Sequence, residues 1–167
     1  LLATIYHITI FLPIAIITTI ICCTIIVILL PIAGNAKWGS YPAKAWARIL
    51  TTFSLVRVNV HGAQNIDPNS SYIFVANHQS IYDIPLVYGW LDNNFKWIMK
   101  KELRHLPFIG KTCALMGHIF IDRSNPMRAK QSLEAAKKNL KQGYSSIFLF
   151  PEGTRTRNGQ IGRFKRG

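Results

Sequence analysis

The sequence predicts an α/β fold: a mixed, largely parallel sheet flanked by helices, preceded by an N-terminal membrane-embedded two-helix segment. One observation is the distribution of charge, because the chain has 20 Lys and Arg and 7 Asp and Glu, none of them before Lys37. The other is that short β-prone runs alternate with helical patterns after residue 54, as in crossover units of parallel sheets. We therefore expect two regions, with residues 1–54 as membrane-embedded or interfacial helices and residues 55–167 as the α/β domain.

The first 33 residues are apolar and uncharged. A bilayer core about 30 Å thick needs about 20 such residues in a helix, and a signal peptide has only about 7–15. We expect Pro13 to kink this helix and Pro31 to end it, which leaves a spanning and a re-entrant geometry both open. Lys37, Lys44 and Arg48 follow closely, and basic residues in this position predict that the remainder is cytoplasmic. A buried helix of a soluble core is the alternative.

A second, amphipathic helix is predicted from Trp38 to Leu55. Its aromatic residues Trp38, Tyr41 and Trp46 lie among basic residues, a mixture that prefers the headgroup level of a membrane. An ordinary surface helix with aromatic core contacts explains the same pattern.

The net charge of +13 indicates a polyanionic partner: nucleic acid, anionic lipid headgroups or a phosphorylated substrate. Cys22 and Cys23 are adjacent in the apolar run and Cys113 stands alone, so neither a disulfide framework nor a CxxC metal site is expected. The charge does not alternate with exposed aromatic residues, which disfavours nucleic acid.

Five strands and three helices are predicted in the second region. The strands are Leu55–Val60, Tyr72–Ala76, Phe95–Met99, His118–Ile121 and Ser146–Phe150. The helices are Ile84–Leu91, one within Lys101–Leu115, and one from Asn125-Pro126 to a stop at Gly143. Ligands of such sheets bind beyond the carboxyl ends of the strands, which points to residues 77–83, 122–124 and 151–156.

The first of these segments contains His78 and, five residues on, Asp83. A carboxylate can hold an imidazole in the tautomer whose other nitrogen accepts a proton, so the pair can act as a general base and its orienting group. From these residues alone, a loop histidine beside an aspartate that caps the next helix is the favoured interpretation. Neither a Gly-x-Ser-x-Gly serine nor a candidate cysteine accompanies the pair, so the nucleophile is expected to come from a substrate.

The other two segments carry groups suited to anions. Arg123 offers a planar fork that matches phosphate or carboxylate, although a surface ion pair explains it as well. In the third segment Gly153 lets backbone N–H groups approach an anion, Arg155 supplies charge, and Glu152 is suited to hold that arginine or to accept a substrate hydroxyl. A turn with solvated charges is the alternative.

Together these segments resemble, in order and spacing, three blocks of the glycerolipid acyltransferases, and most of all the bacterial 1-acyl-sn-glycerol-3-phosphate acyltransferases. The blocks are Asn77-His78 with Asp83, Ile119-Phe120-Ile121-Asp122-Arg123 and Phe150-Pro151-Glu152-Gly153-Thr154-Arg155. The runs Lys100-Lys101-Glu102-Leu103 and Pro107-Phe108-Ile109-Gly110 are similar to the family as well. The resemblance covers Val56 to Gly167.

The resemblance implies transfer of a fatty acyl group from acyl-CoA or acyl carrier protein to the sn-2 hydroxyl of 1-acylglycerol-3-phosphate, giving phosphatidic acid for phospholipid synthesis. It implies that His78 is the general base and that Asp83 orients it. The residues implied to bind the acceptor's phosphate are Arg123, Glu152, Gly153, Thr154, Arg155 and Lys100. No metal or cofactor is implied beyond the thioester co-substrate.

The resemblance also implies a place in a membrane, expected to be the bacterial inner membrane with the catalytic domain on its cytoplasmic side, and membrane lipids rather than nucleic acid as partners. The family has a further Val/Ile-Pro-rich block beyond the turn that Phe164-Lys165-Arg166-Gly167 matches, so we expect these 167 residues alone to be inactive or unstable. A glycerol-3-phosphate or other lysolipid acyltransferase is the alternative enzyme, and a non-enzymatic basic module anchored to a membrane is the alternative outside catalysis.

Overall fold

A computed structural model describes residues 1–33, 37–67, 69–140, 146–156 and 160–164. Its α-helices are α1 Leu2–Tyr6, α2 Leu12–Ala33, α3 Lys37–Phe53, α4 Asp83–Trp90, α5 Ile109–Leu115 and α6 Pro126–Leu140. Its strands are β1 Ile73–Val75, β2 Phe95–Lys100, β3 Ile119–Ile121 and β4 Ser146–Leu149. A π-helical turn, His7–Phe11, joins α1 to α2, and two 3₁₀ turns cover Ala63–Asn65 and Lys101–His105.

The four strands form one sheet in the order β1-β4-β2-β3, and every neighbouring pair is parallel. This confirms the predicted α/β class and its largely parallel sheet. Because the strands run in the same direction, their carboxyl ends lie at one edge of the sheet, and the segments that follow them are neighbours there.

An aromatic core fills the space between the sheet and α4. Phe95, Trp97 and Phe148 are each at most 6% exposed, and Ile84 and Tyr88 of α4 pack against them. Aromatic rings bury large apolar areas, so this cluster fixes α4 against the sheet, and with it the first residue of α4, Asp83.

The N-terminal helices form the predicted two-helix segment. Leu2–Ala33 is a continuous helical stretch of 32 residues, long and apolar enough by length and composition to cross a bilayer. Its length is about 48 Å at 1.5 Å per residue. The indole N–H of Trp46 in α3 donates to the Thr19 hydroxyl at 2.8 Å, and the Tyr6 hydroxyl donates to the Phe53 carbonyl at 2.9 Å. The long helix therefore lies against α3 over most of its length.

Of the two proline predictions for the long helix, the kink at Pro13 stays a prediction and the helix end at Pro31 is tested by the end of α2. The chain passes through the π-helical turn His7–Phe11 directly before Pro13 and continues as α2. A π turn absorbs the hydrogen bond that a proline cannot donate. The prediction that Pro31 ends the helix is wrong by two residues, because α2 continues to Ala33. In the last turn a proline removes only one hydrogen bond.

The predicted strand Leu55–Val60 is wrong. The segment begins in a turn, has no regular secondary structure and pairs with no strand in the described part of the chain, and Leu55 is 71% exposed. Leu55 has φ 60°, so the chain turns sharply as it leaves α3 and runs along the surface instead of entering the sheet. Alternating residues favour an extended chain, but a strand also needs a neighbouring backbone.

The predicted helix within Lys101–Leu115 is divided in two. The 3₁₀ turn ends at His105 and α5 begins at Ile109, because Leu106 takes the extended conformation that the following Pro107 requires. Gly110 at the start of α5 lies against the preceding turn, where a Cβ atom would come within 2.0 Å of the Arg104 carbonyl oxygen. Only glycine fits this approach.

The other predicted elements are confirmed with shifts of one or two residues at their ends, except that the predicted helix stop Gly143 lies outside the described residues. The two predicted regions are in direct contact: the Arg48 side chain in α3 donates to the Gly89 carbonyl in α4 at 3.0 Å. Their boundary at residues 54 and 55 stays a prediction.

Candidate active site

All the predicted site residues lie at the carboxyl edge of the sheet. His78 follows β1, Lys100 ends β2, Arg123 follows β3, and Glu152 follows β4. Since the strand order interleaves distant parts of the chain, this edge brings together residues that are up to 74 positions apart in sequence.

His78 and Asp83 form a hydrogen-bonded pair. His78 Nδ1 is 2.8 Å from Asp83 Oδ2, and the same carboxylate oxygen accepts the backbone N–H groups of Gln79 at 2.8 Å and Ser80 at 3.0 Å. Asp83 is also the first residue of α4, where the helix dipole favours a negative charge. The loop and the helix start therefore wrap around one carboxylate, which faces the imidazole.

The hydrogen bond to Asp83 determines which nitrogen of the His78 ring carries the proton. A carboxylate only accepts hydrogen bonds, so Nδ1 carries the proton and Nε2 has the free lone pair. Within the described residues no hydrogen bond to Nε2 is found, and the His78 side chain is 15% exposed. The imidazole is thus fixed, with its basic nitrogen available to a hydroxyl that enters from outside.

Phe150 holds the face of the same ring. The two ring centroids are 4.0 Å apart and the planes differ by 13°. Phe150 also stacks on Trp97 at 5.5 Å, which joins the His78 ring to the aromatic core. The sequence analysis missed this contact, although an aromatic residue at the end of the strand before Pro151-Glu152 was visible.

The backbone of His78 is held from both sides. Its N–H donates to Glu152 Oε1 at 2.8 Å, and its carbonyl accepts the N–H of Thr156 at 3.0 Å. Glu152 is 2% exposed, and its other oxygen accepts the N–H of Gly162 at 2.7 Å. The carboxylate predicted to bind substrate phosphate thus has backbone partners on both oxygens.

The phosphate-binding candidates beside it remain accessible. The Arg123 guanidinium donates through Nη1 to the carbonyl of Gly153, which has the left-handed φ of 68° that glycine adopts readily. Thr154 and Arg155 follow on the exposed side of this turn. Arg155 therefore belongs to the turn that also holds His78, and the Arg123 guanidinium, which follows β3, contacts that turn.

Lys100 lies farther along the same edge, with its ammonium 3.5 Å from the Glu102 carboxylate and its side chain 56% exposed. The neighbouring Asp122 accepts from Lys101 at 3.1 Å. Hydrogen bonds from Ser124, and then from Lys101, lower the pKa of Asp122 to about 2. Asp122 is ionised at neutral pH and offsets part of the local positive charge.

The described cysteines lie away from this edge, in α2 and α5. Burial raises the pKa of Cys113 to about 12, so it is a thiol rather than a nucleophilic thiolate. Over the described ranges, no three His, Cys, Asp or Glu side chains form a group that could hold a metal ion.

A second histidine lies in a polar cluster that the sequence analysis missed. His118 precedes β3 and is 7% exposed. Its Nδ1 accepts a hydrogen bond from the backbone N–H of Trp97 at 3.2 Å. Its Nε2 is hydrogen-bonded to the Tyr88 hydroxyl, and the nearby Lys96 ammonium donates to the Met116 carbonyl at 2.7 Å. Burial, and then the Lys96 charge, lower the pKa of His118 to about 3.

A model of the acyltransferase family matches residues 57–167, the part of the chain that forms the sheet and its site. The chain belongs to this family. The resemblance to this family that the sequence motifs carry is thereby confirmed.

Individual members of the family are similar over shorter stretches. The chain is 34% identical to the chloroplastic 1-acyl-sn-glycerol-3-phosphate acyltransferase of Arabidopsis thaliana over 78% of its own length and 36% of that protein. It is 37% identical to the Pseudomonas aeruginosa protein of the same name over 67% of its length and 43% of the relative. It is also 37% identical to the human alpha form of this enzyme, over 67% of its own length and 40% of the relative. The chain therefore spans less than half the length of these relatives.

A solved acyltransferase has the same fold. The crystal structure of the 1-acyl-sn-glycerophosphate acyltransferase from Thermotoga maritima superposes with a TM-score of 0.76 and 28% sequence identity. The match covers 99% of this chain and 65% of that one, so it includes the N-terminal helices as well as the sheet.

Proposed function

We propose that this acyltransferase transfers a fatty acyl group from an acyl thioester to the sn-2 hydroxyl of 1-acylglycerol-3-phosphate, giving phosphatidic acid for phospholipid synthesis. The observation that carries the proposal is the His78–Asp83 pair, with Nε2 open to an incoming hydroxyl. The names of the similar proteins support this choice of acceptor.

In the proposed reaction, His78 Nε2 accepts the proton of the acceptor hydroxyl as its oxygen attacks the thioester carbonyl. A new ester C–O bond forms and the C–S bond breaks. The thiolate leaves and takes the proton from the imidazolium, so histidine returns to its starting state. Asp83 stabilises the transient imidazolium. A base of this kind contributes about 10²–10⁴-fold to the rate.

The acceptor's phosphate is proposed to bind at Arg123, Arg155 and Lys100, together with the backbone of Gly153 and the Thr154 hydroxyl. Guanidinium groups bind phosphate through paired N–H donors, and the exposed turn after β4 presents them beside the His78 loop. Bound in this way, the phosphate would anchor the glycerol backbone while the free hydroxyl reaches Nε2.

The donor is proposed to be acyl-CoA or acyl carrier protein, with no resident cofactor, and membrane lipids are the proposed surroundings. The long apolar helix supports a membrane location. The ring of Phe11 at its π turn lies 6.1 Å from the ring of Tyr82, the residue before Asp83, so this helix reaches the catalytic loop. A cytoplasmic orientation at a bacterial inner membrane is the specific form of this proposal.

The acceptor is tested by a side-by-side assay of the full-length protein in detergent micelles. Radiolabelled acyl-CoA is offered with 1-acylglycerol-3-phosphate, with glycerol-3-phosphate, or with a neutral lysolipid. We expect label in phosphatidic acid, and no more than background in the other two products.

The same assay separates the alternatives. Acylation of glycerol-3-phosphate alone would refute the proposed acceptor but keep the reaction type. Label in phosphatidic acid that is unchanged in His78→Ala would refute catalysis by this site and favour a basic membrane-bound module that copurifies with an enzyme. A repeat with acyl carrier protein identifies the donor.

A further inference from the structure

We propose that Glu152 is a positioning residue that sets the place of the His78 backbone and does not contact the phosphate of the acceptor. The inference deepens the proposed function and rests on it. It separates Glu152 from Arg155, although the two residues lie in the same short turn.

Both carboxylate oxygens of Glu152 are occupied by backbone donors. Oε1 accepts the His78 N–H at 2.8 Å and Oε2 accepts the Gly162 N–H at 2.7 Å. Charge-assisted bonds to backbone N–H groups are about twice as strong as neutral ones. The carboxylate therefore joins three loop segments: the one after β1, the turn after β4, and the stretch around residue 162.

The Glu152 side chain is also buried, unlike that of Arg155. Glu152 is 2% exposed, whereas Arg155 is exposed. A buried carboxylate would repel a phosphate, and in the described part of the chain no Lys or Arg side chain forms an ion pair with it that would offset this repulsion. The two backbone donors compensate for its desolvation, and both are lost if the loops separate.

The two hydrogen bonds that Glu152 accepts, from the His78 and Gly162 N–H groups, form what we call the Glu152 clamp. It acts on a histidine that is also held at other points. The Thr156 N–H holds the His78 carbonyl at 3.0 Å, Asp83 holds the ring edge and Phe150 the ring face. Within the residues that the structure describes, the bond to Glu152 is the one that fixes the N–H side of His78. Without it the imidazole moves relative to the bound hydroxyl, and a displacement of about 1 Å costs about 10²-fold in rate.

Gly162 provides an independent way to disturb the same clamp. A Cβ atom at this position would lie 2.9 Å from Glu152 Oε2 and 3.1 Å from Thr156 Cγ2. Gly162→Ala therefore displaces the carboxylate without changing its charge and leaves the Arg123, Arg155 and Lys100 side chains as they are in the wild type.

The test compares Glu152→Gln, Glu152→Asp and Gly162→Ala with the wild-type full-length protein. Glu134→Gln on the exposed side of α6 is the matched control, since it makes the same chemical change far from the site. We expect Glu152→Gln to lower kcat about 10²-fold with KM for 1-acylglycerol-3-phosphate within about twofold of wild type. Glu152→Asp, which retains both acceptor oxygens, should recover part of the loss, Gly162→Ala should resemble Glu152→Gln, and Glu134→Gln should match wild type.

A tenfold or larger rise in KM at unchanged kcat would overturn the proposal and assign Glu152 to the phosphate. Unchanged kinetics in Glu152→Gln would overturn it as well. If Glu152→Gln does not fold, Gly162→Ala decides in the same way.

Amide hydrogen exchange tests the clamp without catalysis. Faster exchange at the His78 and Gly162 amides in Glu152→Gln, with other strand amides unchanged, is expected. Equal exchange at both amides would refute the clamp. A wild-type protein that shows this protection but no acyl transfer would refute the proposed function alone.

Discussion

The two histidines of the sheet lie in opposite environments. His78, beyond the carboxyl end of β1, is paired with the Asp83 carboxylate and has an open Nε2. His118 lies at the amino end of β3, and both of its ring nitrogens form hydrogen bonds within the protein. Nδ1 bonds to the backbone N–H of Trp97, and Nε2 bonds to the Tyr88 hydroxyl.

The difference shows how environment selects the use of the same side chain. An anionic neighbour allows an imidazole to gain a proton during a reaction. A buried site beside the Lys96 ammonium prevents this, and the pKa of His118 falls to about 3. His118 is therefore a neutral connector between β2, β3 and α4, and of these two histidines it is His78 that has the surroundings of a general base.

The largest expected effect contrasts the two residues directly. His78→Ala should lower kcat by about 10²–10⁴-fold while the thermal unfolding temperature stays near that of wild type. His118→Asn, which retains one acceptor for the Trp97 N–H, should leave kcat nearly unchanged. Initial rates in detergent with saturating 1-acylglycerol-3-phosphate measure this, and equal loss in both variants would show that the distinction between them is wrong.

A smaller effect is expected on the phosphate side of the site. Arg155→Ala should raise KM for 1-acylglycerol-3-phosphate by about tenfold with little change in kcat, because one charge-assisted bond is worth about 1.5–3 kcal/mol. Arg104→Ala is the control, since this arginine lies over the Phe120 ring instead of at the turn after β4. A kcat-only loss in Arg155→Ala would place this residue with the positioning groups.

The smallest effect concerns the pH dependence of stability. The folded protein keeps His118 neutral down to about pH 3, whereas its ordinary pKa is 6.5. Between these values only the unfolded chain binds this proton, so the free energy of unfolding decreases as pH falls from 6.5. His118→Asn should flatten this decrease.

Urea denaturation across that pH range measures the difference between the two proteins. His118→Asn should also lose about 1–3 kcal/mol at neutral pH, because the Tyr88 hydroxyl loses its partner. Asp122, whose pKa is lowered from 3.8 to about 2, adds a decline of the same sign only below about pH 3.8. If the free energies of unfolding of wild type and His118→Asn change with pH in parallel, the lowered pKa of His118 is wrong.

Much of the fold followed from local patterns. The apolar run, the Asn125-Pro126 helix start and the short strands each report on neighbouring residues. The edge of the sheet where the site lies then followed from the general rule for parallel sheets. Leu55–Val60 shows the limit, because alternation cannot say whether another strand lies alongside.

Part of the site could be predicted from the sequence and part could not. The His78–Asp83 contact spans only five residues; the residues alone left a helix-capping aspartate open, and the family resemblance favoured the pair. Glu152 accepts a hydrogen bond from the backbone N–H of His78, 74 residues away. A contact to a distant backbone group cannot be predicted from a sequence pattern. Lys96 is one signal that was available: a lysine between Phe95 and Trp97 in an interior strand must find a buried acceptor, here the Met116 carbonyl.

The stacking of Phe150 on His78 has a consequence for how the protein responds to heat. The imidazole is the last ring of a series that continues through Phe150 and Trp97 to Phe148 in the middle of the sheet. Because these rings are in contact, a shift of Phe150 or Trp97 would change the position of the reactive nitrogen. Warming should therefore reduce turnover at temperatures where the backbone is still intact, and enlarged or truncated side chains deep in the sheet should reduce the rate from a distance.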